Sequence, residues 1–98
     1  KFQEGLQKLW NGVEFSVNYE MLHWCLLDIP SNAKLCEGEV VDDQTVAITS
    51  YSIDKLVEFL NWYRDLIPRE YKLYLYRNDQ FNGMEISGVI TEDNLNIQ

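Results

Sequence analysis

His23 and Cys25 are the one pair of side chains in this sequence whose types and spacing suggest covalent chemistry. On a strand, a two-residue step puts both on one face. There an imidazole can draw the proton from a thiol and leave a nucleophile. Such chemistry also needs a group to orient the imidazole and donors to hold an oxyanion. No motif beside the pair supplies either, so the expectation is a half-buried structural histidine next to a core thiol. His23 is the only histidine, which excludes any metal site built on two of them. No Gly-rich phosphate loop, no dinucleotide fingerprint and no Gly-x-Ser-x-Gly turn occurs. The sequence reads as that of a non-enzyme with no cofactor and no metal.

Carboxylates are the other chemical resource. Glu37, Glu39, Asp42 and Asp43 crowd one short stretch. They lack the spaced ligands and central glycine of a calcium loop, so a solvated hairpin is the expectation. Asp54, Glu58, Asn61 and Asp65 recur at helical spacing and fall on one stripe. Like charges one turn apart destabilise an isolated helix by about 0.2–0.5 kcal/mol each. No Lys or Arg lies between Lys8 and Lys34, between Lys34 and Lys55, or after Arg77. An acidic surface with little basic sequence nearby suits a basic partner and speeds encounter with it. Aromatic residues give the second hint. Trp62 projects from the helix side opposite Ile53, flanked by Phe59 and Leu66, while Tyr74 and Tyr76 alternate with Leu73 and Leu75. Exposed Trp and Tyr are common anchors of interfaces. The expected partner-binding residues are therefore Glu37, Glu39, Asp42, Asp43, Asp54, Glu58, Trp62, Asp65 and Tyr76.

The elements that position these groups are organised around the stretch from Ser50 to Pro68. Ile53, Leu56, Val57, Leu60, Tyr63 and Ile67 mark one face of a helix over 52–67. Ser50 or Ser52 can cap its start, Asp54 suits the first turn, and Pro68 stops it. A shorter helix over 2–11 carries Phe2, Leu6, Leu9 and Trp10 on one face and ends at Asn11-Gly12. From Val13 the period changes to two: Val13, Phe15, Val17, Tyr19 and Met21 alternate with polar residues as in a half-buried strand. Residues 22–29 are nearly all apolar, and periodicity does not separate a continued strand, a second strand and a short buried helix. Residues 33–49 predict a hairpin turning at Asp42-Asp43-Gln44, with Gly38 the candidate bulge. Residues 71–76 and 84–90 predict a second hairpin around Asn82-Gly83, followed by a polar tail. The fold class that results is α+β. A mostly antiparallel sheet of about five strands carries the helix over 52–67 on one face, beside the short N-terminal helix.

Ninety-eight residues with 46% hydrophobic composition predict one folded domain. Sixteen acids against eight bases give a formal charge of −8. That excess argues against direct binding of nucleic acid and against anionic membranes. No apolar run has the length of a membrane span, and no signal-peptide pattern is present. Cys25 and Cys36 lack Cys-x-x-Cys spacing and read as free thiols of a cytoplasmic protein. Small size, acidity and missing catalytic motifs together predict an inhibitor of the immunity-protein or antitoxin type. It would occlude a basic protein partner, such as a nuclease or toxin. Alternatives are a phage inhibitor that imitates nucleic acid, and a structural module in which the apolar surplus forms a homodimer.

Overall fold

Tyr19 and Glu20 both hold positive φ, 53° and 67°, in the computed structural model of the chain. That pair of angles makes a two-residue turn whose twist matches that of the flanking strands. The alternating segment therefore reverses before Met21, and the single strand expected over 13–21 is two. Strand β1 (Glu14–Asn18) pairs antiparallel with β2 (Met21–Leu27), Asn18 opposite Met21. This also decides the state of the apolar run at 22–29, which is strand through Leu27. The structure describes residues 2–28, 31–42, 45–76 and 83–95. They are α+β.

Strands β3 (Lys34–Asp42) and β4 (Thr45–Ser50) continue the antiparallel sheet in the order β1-β2-β3-β4. The register aligns Phe15, Trp24, Gly38 and Ile48 in one row across the sheet, and Leu26 with Cys36 and Ser50 in another. These rows share one face, because paired residues point the same way and alternate along each strand. Trp24, Leu26 and Cys36 are buried there. Helix α1 (Phe2–Leu9) covers this face: Leu6 is fully buried, and the Trp10 ring lies 5.8 Å from that of Trp24. Gly12, at φ 95°, ends the helical segment in the left-handed geometry expected of Asn11-Gly12.

Gly38 is not the bulge. The register shifts fall elsewhere, between Val40 and Asp42 against β4 and between Leu26 and Leu27 against β3. Gly38 makes room instead, since a Cβ there would meet the Ala47 carbonyl oxygen and stand 2.7 Å from the Trp24 indole.

Helix α2 (Ile53–Leu66) matches the predicted span within a residue at each end. Ser52 caps it, its Oγ accepting the Lys55 N–H at 3.4 Å. Ile67 precedes Pro68, which disfavours further helical turns. The buried residues of α2 are Phe59, Leu60 and Arg64. Phe59 thus belongs to the buried face, and Trp62, whose ring it flanks, is half-buried rather than fully outward. The predicted strand 71–76 shrinks to β5 (Tyr74–Leu75), paired with β6 (Met84–Glu85). Residues 68–71 are taken up by a turn, Tyr71 N–H donating to the Pro68 carbonyl at 3.0 Å. The described strands therefore form a four-stranded and a two-stranded sheet in place of one sheet of about five. Most of the turn at 78–83 lies outside the described residues. Of the tail, Glu92–Leu95 forms a single helical turn, α3, that buries Leu95.

The chain divides into two compact units, Lys1–Leu56 and Val57–Gln98. The first holds α1 and the four-stranded sheet. The second holds most of α2, the β5–β6 pair and α3. No helix among the described residues is long and apolar enough to cross a membrane.

Candidate functional site

The sheet face opposite Trp24 brings together three carboxylates of the first unit, those of Glu14, Glu37 and Glu39. Glu14, Cys25 and Glu37 form one cross-strand row, and Ser16, His23 and Glu39 the next. Neighbouring strands lie about 4.8 Å apart and alternate residues about 6.7 Å apart. Glu14 and Glu37, two strands apart, are thus separated by roughly 10 Å at the backbone, and Glu37 and Glu39 by roughly 7 Å. Glu37 and Glu39 were expected here from sequence. Glu14 was not, although its place on the polar side of the alternating segment was the signal for it.

Two of these acids have close partners. The Lys34 ammonium lies 3.4 Å from Glu37, and the Tyr51 hydroxyl donates to the same carboxylate oxygen at 3.2 Å. His23 Nε2 lies 3.1 Å from a Glu39 oxygen. The Glu37 charge is therefore partly compensated by a cation three residues away, while Glu39 is held by an imidazole from the adjacent strand. Both pairs are partly exposed, so each is worth at most about 1 kcal/mol. They fix the direction of the carboxylates more than they hold the fold.

Cys25 shares this face with His23, as the two-residue spacing predicts. Burial pushes its thiol pKa up, and the Glu37 carboxylate adds to that. Both effects favour the protonated sulfur, the less nucleophilic form. Cys36 lies on the opposite face, beside Leu26, and both cysteines are free thiols. Burial pushes the Cys36 thiol up to about 11, against a smaller opposing effect of the Ser50 hydroxyl. Among the described residues no group of three or more His, Cys, Asp or Glu side chains is placed to hold a metal ion.

The remaining predicted residues divide between the units. Asp42 is exposed at the end of β3, and Asp54 is exposed in the first turn of α2. Asp43 lies outside the described residues. Glu58, Trp62, Asp65 and Tyr76 belong to the second unit. Trp62 is half-buried, its ring 5.5 Å from Phe59 and 6.3 Å from Tyr63. Tyr76 is 61% exposed, with its ring 6.3 Å from Tyr74.

The helical stripe is less purely acidic than its spacing suggests. Asp65 pairs with Arg69 at 3.1 Å. Asn61 holds the backbone of Ile90 from both sides: its amide donates to the Ile90 carbonyl at 2.9 Å, and its oxygen accepts the Ile90 N–H at 2.7 Å. Arg64, 4% exposed, was not foreseen in any role. Its guanidinium donates to the carbonyls of Ile86, Ile67, Pro68 and Tyr71 at 3.0–3.4 Å. It ties the end of α2 to the segments that follow. Its position, one turn after Leu60 near a helix C-terminus, was the available clue, since a cation there can satisfy the orphan carbonyls.

No known protein family, no curated protein and no solved structure matches this chain.

Proposed function

We propose that this chain is a small acidic binding protein that occludes a basic protein partner, an inhibitor in the manner of immunity proteins and antitoxins. The observation that carries the reading is the alignment of Glu14, Glu37 and Glu39 on one face of the four-stranded sheet, within a chain of formal charge −8. Carboxylates borne on backbone positions roughly 7–10 Å apart offer a grid on which Lys and Arg side chains of a substrate groove can settle. A rigid sheet loses little entropy when it is occupied. Inhibition then needs no chemistry from this chain: the partner's groove is filled and its cations are neutralised. The free thiols of Cys25 and Cys36 fit a reducing compartment, so the proposed location is the cytoplasm.

The test uses the immobilised full chain, challenged with the soluble proteins of its source cell and eluted along a salt gradient. The expected result is a cationic protein, released by salt, that is no longer retained by the Glu14→Lys, Glu37→Lys, Glu39→Lys variant. Retention unaffected by salt and by this charge reversal would overturn the reading.

A further inference from the structure

The turn at Tyr19-Glu20 fixes which backbone groups of β1 face its neighbour. In a two-residue hairpin the pair flanking the turn is hydrogen-bonded, and bonded pairs then alternate. With Asn18 opposite Met21, the ladder bonds fall on Asn18, Ser16 and Glu14. The N–H and C=O groups of Phe15 and Val17 point the other way, off the sheet, where no strand among the described residues lies beside β1. Folded proteins commonly blunt such an edge with Lys, Pro or a bulge. β1 contains neither Lys nor Pro, and its register with β2 is unbroken.

The side chains along this edge define what fits it. Phe15 and Val17 lie on the Trp24 face, yet Val17 is 73% exposed, and Tyr19 at the turn is 88% exposed. Apolar side chains of an added strand would cover them. On the other face the edge presents Glu14 and Ser16, with the Glu37 and Glu39 carboxylates two strands further in. From Leu9 to Ala33 the chain holds Glu14, Glu20 and Asp28 and no Lys or Arg. A second copy of the chain would bring the same acids and another eight excess negative charges to this edge.

We propose that β1 is a docking edge for an extended segment of a cationic protein, added antiparallel as a fifth strand, in which Lys or Arg alternates with apolar residues. The inference rests on the basic-partner reading above and adds the place and mode of contact. Phe15 and Val17 each give a backbone donor and acceptor to the incoming strand. The incoming residues opposite them lie on the same face and are the apolar ones. The cations alternate with these and meet Glu14.

The probe is the capped peptide Lys-Val-Lys-Val-Lys-Val-Lys, titrated into the full ¹⁵N-labelled chain. The amide signals of Phe15 and Val17 should shift and exchange more slowly with solvent, and affinity should fall as salt rises. Two N-methylated peptides test the wild-type chain directly. Methylation of the valine nitrogens, which face the edge, should abolish binding, while methylation of the lysine nitrogens should leave it. The Val17→Pro variant removes an edge donor without removing a ladder bond, and should weaken binding by about tenfold or more. Equal binding of the two methylated peptides, or unchanged affinity in Val17→Pro, overturns the docking edge while salt-sensitive capture of a cationic protein leaves the broader reading standing. Failure of the peptide to bind, or self-association of the chain through β1, likewise overturns it. Failure of both peptide binding and capture removes the two readings together.

Discussion

At the scale of single residues, Gly38 and Cys36 are the most constrained positions of the sheet. Gly38 faces the Trp24 indole, which is 1% exposed and has little freedom to retreat. Gly38→Ala should destabilise the fold by about 1–3 kcal/mol, the usual penalty of an inserted methyl in a packed core. Urea unfolding with an unchanged slope and a lower midpoint is the expected result, and an unchanged midpoint would mean that the indole can shift. Cys36 makes stability depend on pH. Its thiol is raised from an ordinary 9.0 to about 11, so the folded state holds the proton more tightly than the unfolded state does. The contribution is fully present below pH 9 and is lost as pH rises through 11, in all roughly 2–3 kcal/mol. Wild-type stability should fall more steeply across that window than Cys36→Ala stability, and parallel curves would contradict the assignment. These constraints were only partly legible in the sequence. A glycine within a strand reads as a bulge, but Gly38 answers to an indole fourteen residues away on the neighbouring strand. Arg64 could not be read as buried, because arginine is rarely inside unless its charge is satisfied. The carbonyls that its two terminal nitrogens reach come from Ile67 to Ile86. Asn61 looked like a gap in an acidic stripe because its backbone partner, Ile90, is twenty-nine residues on.

At the scale of elements, the sequence pattern located α1, α2, β3 and β4, ran β1 and the turn after it together as one strand, and left β2 open, while local chemistry settled the ends. Ser52 and Pro68 bracket α2 much as their residue types require. The Tyr19-Glu20 turn leaves no signal in the sequence because neither residue is one that favours positive φ. Its residues continue the polar–apolar alternation, so the strand signal runs straight through the reversal. The second hairpin was over-extended for a different reason: Tyr71 has its carbonyl taken by Arg64 and its N–H by Pro68. Alternation in sequence does not report such competition for backbone groups. Two consecutive left-handed residues carry a local strain that the strand pairing must offset. Replacing Tyr19-Glu20 by Asn-Gly should therefore stabilise the chain by about 1 kcal/mol or more, with no change of fold. A higher urea midpoint would agree. A lower one would show that the exposed Tyr19 ring contributes more than the turn strain costs.

At the scale of the whole molecule, eight cations cannot neutralise sixteen acids. Of those cations, Arg64 is committed to backbone carbonyls, and the ion pairs of Lys34 and Arg69 are exposed. Exposed pairs contribute little, so mutual repulsion of the surplus acids should act against the folded chain. Salt screens that repulsion: the Debye length falls from about 30 Å at 0.01 M to about 10 Å at 0.1 M. The melting midpoint should consequently rise by roughly 2–5 °C over this range, the response of a small domain to about half a kcal/mol or more. Glu14→Lys or Glu20→Lys should raise the low-salt midpoint and flatten the salt dependence. A midpoint indifferent to salt would mean that the acids lie too far apart to repel, and would weaken the case for a concentrated field. The same field acts in opposite senses on folding and on encounter. The added stability that salt provides should be accompanied by slower capture of a cationic partner, because both arise from one set of unscreened carboxylates. Melting and association rate measured across one salt series on one preparation would link them. If the midpoint rises while the association rate stays constant, the repelling acids are not those that meet the partner.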